Sequence, residues 1–180
     1  MRKSYTALAG IVVLAATALI AVSFAGAKQT PAKPTSTDRQ LQQLKAATAR
    51  YHSVKQAIRA GYWPGPTANS PGTCVSSPAG AMGYHFENHA LMTDGVLDFL
   101  RPEMLLYEKK RNGRYRLIGV EYYIQADQTA TAPVLFGQTF QGPMPAHHPG
   151  MTTHYDVHVW LWKNNPSGMF AEWNPNVRCP

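Results

Sequence analysis

Cysteine is scarce in this chain. Cys74 and Cys179 are the only two among 180 residues. No C-x-x-C pair exists, so a thiolate zinc knuckle and a thioredoxin-type redox motif are excluded. The H-E-x-x-H signature of helical zinc proteases is missing, as is a cupin-like H-x-H pair. There is no G-x-S-x-G elbow and no phosphate-cradling glycine loop, and both cysteines look structural. A serine or cysteine nucleophile therefore has no support. No internal repeat occurs. Acidic residues are few, 10 against 17 Lys and Arg, for a net charge of +7. Much of that excess is scattered over Lys28, Lys33, Arg39, Lys45, Arg50, Lys55 and Arg59. A nucleic-acid protein concentrates its charge on one face among stacking aromatics. No nucleic-acid partner is expected here, and the basic third reads as a solvated face or one weakly drawn to an anionic envelope.

Only one long hydrophobic run is present. Arg2 and Lys3 precede an uncharged apolar stretch from Ala7 to Phe24, and Ala25-Gly26-Ala27 follows. This order is that of a secretory signal peptide with a small-residue cleavage site. An uncleaved N-terminal anchor is the alternative, since roughly 20 apolar residues span a bilayer. Cleavage after residue 27 would leave a secreted or periplasmic protein with no membrane span. Arg2 and Lys3 account for two of the 17 basic residues, so residues 28–180 keep 15 against 10 acidic. In an oxidising compartment the two cysteines are expected to form a Cys74–Cys179 disulfide.

The organisation expected is a signal peptide over 1–27, a flexible Pro/Thr/Lys linker over 28–37 and a single domain over 38–180. Thr37 and Gln40 have capping-box spacing. Leu41, Leu44, Ala47, Tyr51, Val54 and Ile58 then form one apolar stripe, ended by Gly61. His52 lies beside that stripe and is given no role. Residues 62–83, rich in Pro and Gly, read as a long loop. Glu103–Tyr107 and Tyr115–Ile124 read as strands around an Asn112-Gly113 hairpin. With those two residues as the turn, Arg111 pairs with Arg114 and Met104 with Glu121. A short strand is expected within Val134–Phe140 and a strong one over Thr153–Trp162. The fold class is α+β, an amphipathic N-terminal helix followed by a mainly antiparallel sheet or small barrel with long Gly/Pro-rich loops.

The chemistry sits on the alternating strand. One face carries His154, Asp156, His158, Trp160 and Trp162, and the other Tyr155, Val157, Val159 and Leu161. His154 and His158 are about 13 Å apart on a regular strand, too far to share an ion. A second cluster runs Gly80-Ala-Met-Gly-Tyr-His85-Phe-Glu-Asn-His89, where Gly80 and Gly83 let the backbone pass close to a neighbour. Glu121 is the carboxylate expected to be buried, which demands a cation, a donor or a proton. Histidines and a carboxylate from separate segments suit Zn, Cu or Fe. The expected mononuclear site takes His85, Glu121 and one or both of His154 and His158, with His89, Glu103 and Asp156 in reserve. His147-His148, between Pro and Gly, reads as a surface contact.

The segments Gly80–His85, Arg101–Glu103, Gly119–Tyr122, Phe136–Gln138, His154–Trp162 and Asn165–Phe170 resemble a group of uncharacterised exported bacterial proteins. That resemblance covers roughly residues 40–180 and implies bacterial export, with no particular activity, metal or substrate. Against the metal site stands a non-catalytic cell-envelope module. It would bind a glycan, lipid or protein partner through Trp160, Trp162, Phe170 and Trp173, although aromatics at such spacing more often form core.

Overall fold

A computed structural model describes residues 33–65, 72–148 and 150–180. The expected signal peptide and half of the linker lie outside them. Among the described residues no helix is long and apolar enough to cross a membrane.

Helix α1, Ser36–Thr48, starts two residues before the expected domain boundary. Its capping box is Thr35 with Asp38, not Thr37 with Gln40. Asp38 N–H donates to Thr35 Oγ1 (3.1 Å) and Thr35 N–H to Asp38 Oδ2 (2.8 Å). The apolar stripe does not carry a single helix. A 3₁₀ turn follows over Ala49–His52, Ser53 is extended, and α2 restarts at Val54–Arg59. The break has a tertiary cause. The Tyr107 hydroxyl, from the sheet, donates to the Tyr51 carbonyl at 2.6 Å and takes it out of the helical ladder. Gly61, at φ +92°, closes α2 as expected of a C-cap glycine.

The strands are β1 (Trp63–Pro64), β2 (Val75–Ser77), β3 (Gly80–Glu87), β4 (Met104–Lys109), β5 (Tyr115–Gln125), β6 (Val134–Leu135), β7 (Gln138–Thr139), β8 (Gln141–Met144) and β9 (His154–Val159). A short helix α3, His89–Asp94, lies between β3 and β4. The main sheet runs β1-β3-β4-β5-β9-β8, with β2 added on β3. Its pairings are antiparallel. Its ends do not meet among the described residues, so the sheet is open and the barrel alternative is not formed. Strands β6 and β7 make a separate hairpin, where a single strand was expected. Phe136 and Gly137 both have positive φ (55° and 73°), which is what a two-residue primed turn requires.

The supposed loop 62–83 in fact holds β1, β2 and the start of β3. Its glycines misled composition because they serve close approach within a sheet. A Cβ on Gly83 would meet the Tyr107 carbonyl oxygen at 2.4 Å, and one on Gly80 the Asn174 backbone at 2.5 Å.

The β4–β5 hairpin corrects one expectation and keeps another. Lys110 pairs with Arg114, so the turn holds three residues and Arg111 does not face Arg114. That shifts the register by one, as Lys109 opposite Tyr115 shows. A bulge between Leu106 and Tyr107, passing over Ile118, shifts it back. Met104 ends opposite Glu121, as the sequence predicts.

Side-chain alternation then divides the sheet. One face presents Tyr84, Phe86, Leu105, Tyr107, Leu117, Val120, Tyr122, Ile124, Val157 and Val159 to Leu44, Tyr51 and Ala57 of the helical segment. The other face is apolar at two ends. Leu106, Ile118 and Trp160 pack under Val177 of the C-terminal tail, and Met104 and Tyr123 pack under Met92 of α3 and Met151. Between those patches the face is polar.

Cys74 and Cys179 are bonded, with Cα atoms 5.5 Å apart and a sequence separation of 105. The intact protein should weigh about 2 Da less than its dithiol, from two lost hydrogens. Reducing a loop of that length should lower the unfolding free energy by about 4–5 kcal/mol by loop entropy. Mass spectrometry and urea melts with and without reductant test both. Gly83→Ala should cost at least about 1–3 kcal/mol, since φ is +92° and the clash is with backbone. A wild-type urea midpoint would contradict this.

Candidate metal centre

Glu121 lies mid-way along β5, the long strand between β4 and β9, and is 4% exposed. A carboxylate there must be compensated locally. His158 supplies part of the answer as its direct partner across the β5–β9 ladder. His158 Nε2 lies 3.4 Å from Glu121 Oε2. His85 supplies the rest from β3, two strands away. Its own row runs through Leu106 to Gly119, so it leans along the sheet until Nε2 stands 3.1 Å from the same Oε2. Gly119 is required in that row, since a Cβ there would meet the Val159 carbonyl oxygen at 2.8 Å.

Ligand atoms of His85, Glu121 and His158 all lie within 4.8 Å of one another, and the three could hold a metal ion. Close as they are, they are not satisfied by each other. Glu121 Oε2 and both ring nitrogens of His158 are buried without a hydrogen-bond partner. The 3.1 Å approach of His85 thus lacks hydrogen-bond alignment. The three residues thus offer buried nitrogen and oxygen atoms, close to one another, that an ion could use. Burial pushes the Glu121 carboxyl up, but His158 and His85 more than offset it and hold it at about 2. Burial pushes His85 down, and Glu121 more than reverses that.

The remaining candidates fall nearby. β9 is regular, so His154 does not join the three. Its Nδ1–H donates to the Thr152 carbonyl at 2.8 Å, and its Nε2 stands 3.7 Å from Asp156 Oδ2. Tyr123 stacks on its ring at 4.7 Å. Asp156 lies one alternation from His158 on the same face, and its Oδ1 is buried without a hydrogen bond. Glu103 precedes β4, and its Oε2 accepts the Tyr123 N–H at 3.1 Å. His89 opens α3 and is mostly exposed, 3.5 Å from Glu87 Oε2.

Two residues of this face were not foreseen. Glu87 shares the face of His85 and is buried, and alternation from His85 could have found it. His148 was read as a surface contact, yet its side chain is 7% exposed and 3.3 Å from Glu87 Oε1. Only the path of its segment across the sheet reveals that.

The tryptophans are distributed unevenly. Trp160 is buried, and its indole N–H donates to the Ala171 carbonyl at 2.6 Å. The strand ends at Val159, and a tight turn with Leu161 N–H on the Val159 carbonyl reverses the alternation. Trp162 therefore joins the helical side, with Lys45 over its ring and His52 against its edge. Trp173 is half-buried and Trp63 is 56% exposed.

Fold and site together define an α+β protein with a buried His–Glu cluster on one face of an antiparallel sheet. The chain matches no protein-family model, no curated protein and no solved structure.

Burial raises the Glu103 carboxyl to about 8. The folded state therefore holds this proton more tightly than the unfolded state does. Its stabilising effect is complete below about pH 4.5 and is lost as pH rises through 8. Glu103→Gln keeps an acceptor for Tyr123 N–H and should flatten the decline in stability between pH 5 and 8. Thermal melts across that range check it, and an unchanged slope would reject the assignment.

Proposed function

We propose that this protein works outside the cytoplasm and binds one transition-metal ion through His85, Glu121 and His158. The convergence of three ligand atoms within 4.8 Å, on a buried face, carries this reading. Two neutral imidazoles and one carboxylate are a donor set used by zinc and by non-haem iron, and imidazole also suits copper. Glu121 is a buried carboxylate beside two imidazoles, and a divalent cation would balance its charge. Three protein ligands leave a coordination position open. Catalytic zinc sites use such a position for water, whose pKa falls to about 7. His85 is the least buried of the three, so solvent would reach a bound ion most readily past its ring. The disulfide is compatible with an oxidising compartment. Export rests on the Arg/Lys start, the apolar run and the Ala-Gly-Ala ending.

Elemental analysis of untagged protein identifies the ion. His85→Ala and His158→Ala should each weaken binding by more than the ~10–100-fold typical of losing a group that merely orients a ligand. His52→Ala, on the opposite side of the sheet, should leave affinity unchanged. Wild-type affinity in either ligand variant would refute the site.

A further inference from the structure

Positive charge is concentrated at the tip of the β4–β5 hairpin. Lys109, Lys110, Arg111, Arg114 and Arg116 fall within eight residues, and all five are exposed. Glu108 is the acid beside them, and it is already engaged by Lys163 and by Arg116 Nη2 at 3.7 Å. The tip extends past the ladders of its neighbours. β3 pairs with β4 only as far as Tyr107, and β9 pairs with β5 only from Val120 onward. Lys109 stands opposite Tyr115 and Glu108 opposite Arg116, so the cations alternate between the two faces and ring the end. Lys45 of α1, also exposed, adds to the same field. Partial burial first, and then the charges of Arg116, Lys110 and Lys45, hold the His52 imidazole below its ordinary range.

The aromatics around the tip narrow what could meet this charge. Single-stranded nucleic acids are gripped on open aromatic faces, and the glycan module weighed above needs such faces as well. The rings beside the tip are taken. Trp162 carries Lys45 over its face at 4.8 Å and His52 against its edge. Tyr115 packs among Tyr84, Phe86 and Tyr107. The turn residues Arg111, Asn112 and Gly113 bring no apolar side chain that could enter hydrocarbon. A flat array of anionic headgroups asks for neither stacking nor insertion, since a cluster of roughly four to eight Lys and Arg is enough to hold it.

We propose that the hairpin tip, Lys109–Arg116, is a contact surface for the anionic headgroups of a phospholipid membrane. The tip meets the bilayer end-on, without insertion. Glu121 lies further along β5 from Arg116 by about 17 Å at the rise of a strand, so the His–Glu cluster stays clear of the headgroups. The surface stands on its own residues, whether or not that cluster holds a metal.

Co-sedimentation with vesicles tests it. The core, the sheet and the disulfide all lie within Pro34–Pro180, one compact unit. The chain from Lys28 is therefore used, without the apolar run that would itself enter a bilayer. Vesicles of equimolar phosphatidylglycerol and phosphatidylcholine should bind it at low salt and release it at high salt, because exposed charges are screened. Arg111→Gln with Arg114→Gln should weaken binding by roughly 30-fold, about fivefold for each cation removed. Arg59→Gln with Arg101→Gln removes the same charge toward the other end of β4, where the Tyr62 hydroxyl donates to the Pro102 carbonyl, and should bind as wild type. All four side chains are exposed, so neither variant disturbs the core. Equal binding to phosphatidylcholine alone, wild-type affinity in the tip variant, or an equal loss in the second variant overturns the surface. Tighter binding of long-chain polyphosphate than of vesicles at the same phosphate concentration also overturns it, and would mark the tip as a polymer site.

Discussion

A carboxylate in the middle of a central strand must be balanced where it stands, and Glu121 imposes that demand on this fold. β5 is flanked on both sides, so water cannot reach Glu121 along the sheet. Its compensation has to come from side chains on the same face. One comes by direct pairing, from His158, and one from His85, two strands away on β3. Neither makes a well-aligned hydrogen bond, and Glu121 Oε2 and both His158 ring nitrogens stay buried without a hydrogen-bond partner.

The two faces of the sheet divide the work. The helical face holds most of the buried aromatic and aliphatic side chains and supplies the apolar burial that stabilises the domain. The opposite face is roofed in two pieces. The C-terminal tail lies over Leu106, Ile118 and Trp160, held by the disulfide and by pairing of Asn174 with Ala81. Helix α3 and the segment around Met151 cover Met104 and Tyr123. The polar band lies in the seam between these roofs, and His85, Glu121 and His158 reach it from β3, β5 and β9.

Much of this was legible where side-chain alternation alone decides position. His154, Asp156 and His158 fall on one face of β9 and Val157 and Val159 on the other, as the sequence predicts. The strand's regularity separates His154 from His158, also as the spacing predicts. The misses have tertiary causes. The helix breaks at Ser53 because a sheet tyrosine captures the Tyr51 carbonyl. β3 was hidden because Gly80 and Gly83, which look like loop residues, are required where the tail and β4 pass close. His148 sits in a Pro/Gly-rich stretch with no periodicity, so nothing local reveals that it crosses to Glu87. Trp162 changes sides at a turn after Val159 that alternation cannot anticipate.

The paired irregularities of the β4–β5 hairpin have an evolutionary consequence. The turn displaces the pairing by one residue, and the bulge at Ile118 cancels the displacement before it reaches Glu121. Without the bulge, the parity of the tip would dictate the parity of the site. With it, the exposed tip at Arg111–Gly113 is insulated from the buried carboxylate. The hairpin end can lose a residue if the bulge relaxes with it, and Glu121 still points at His158. The tip is thus free to drift in length while the chemistry beneath it holds its orientation.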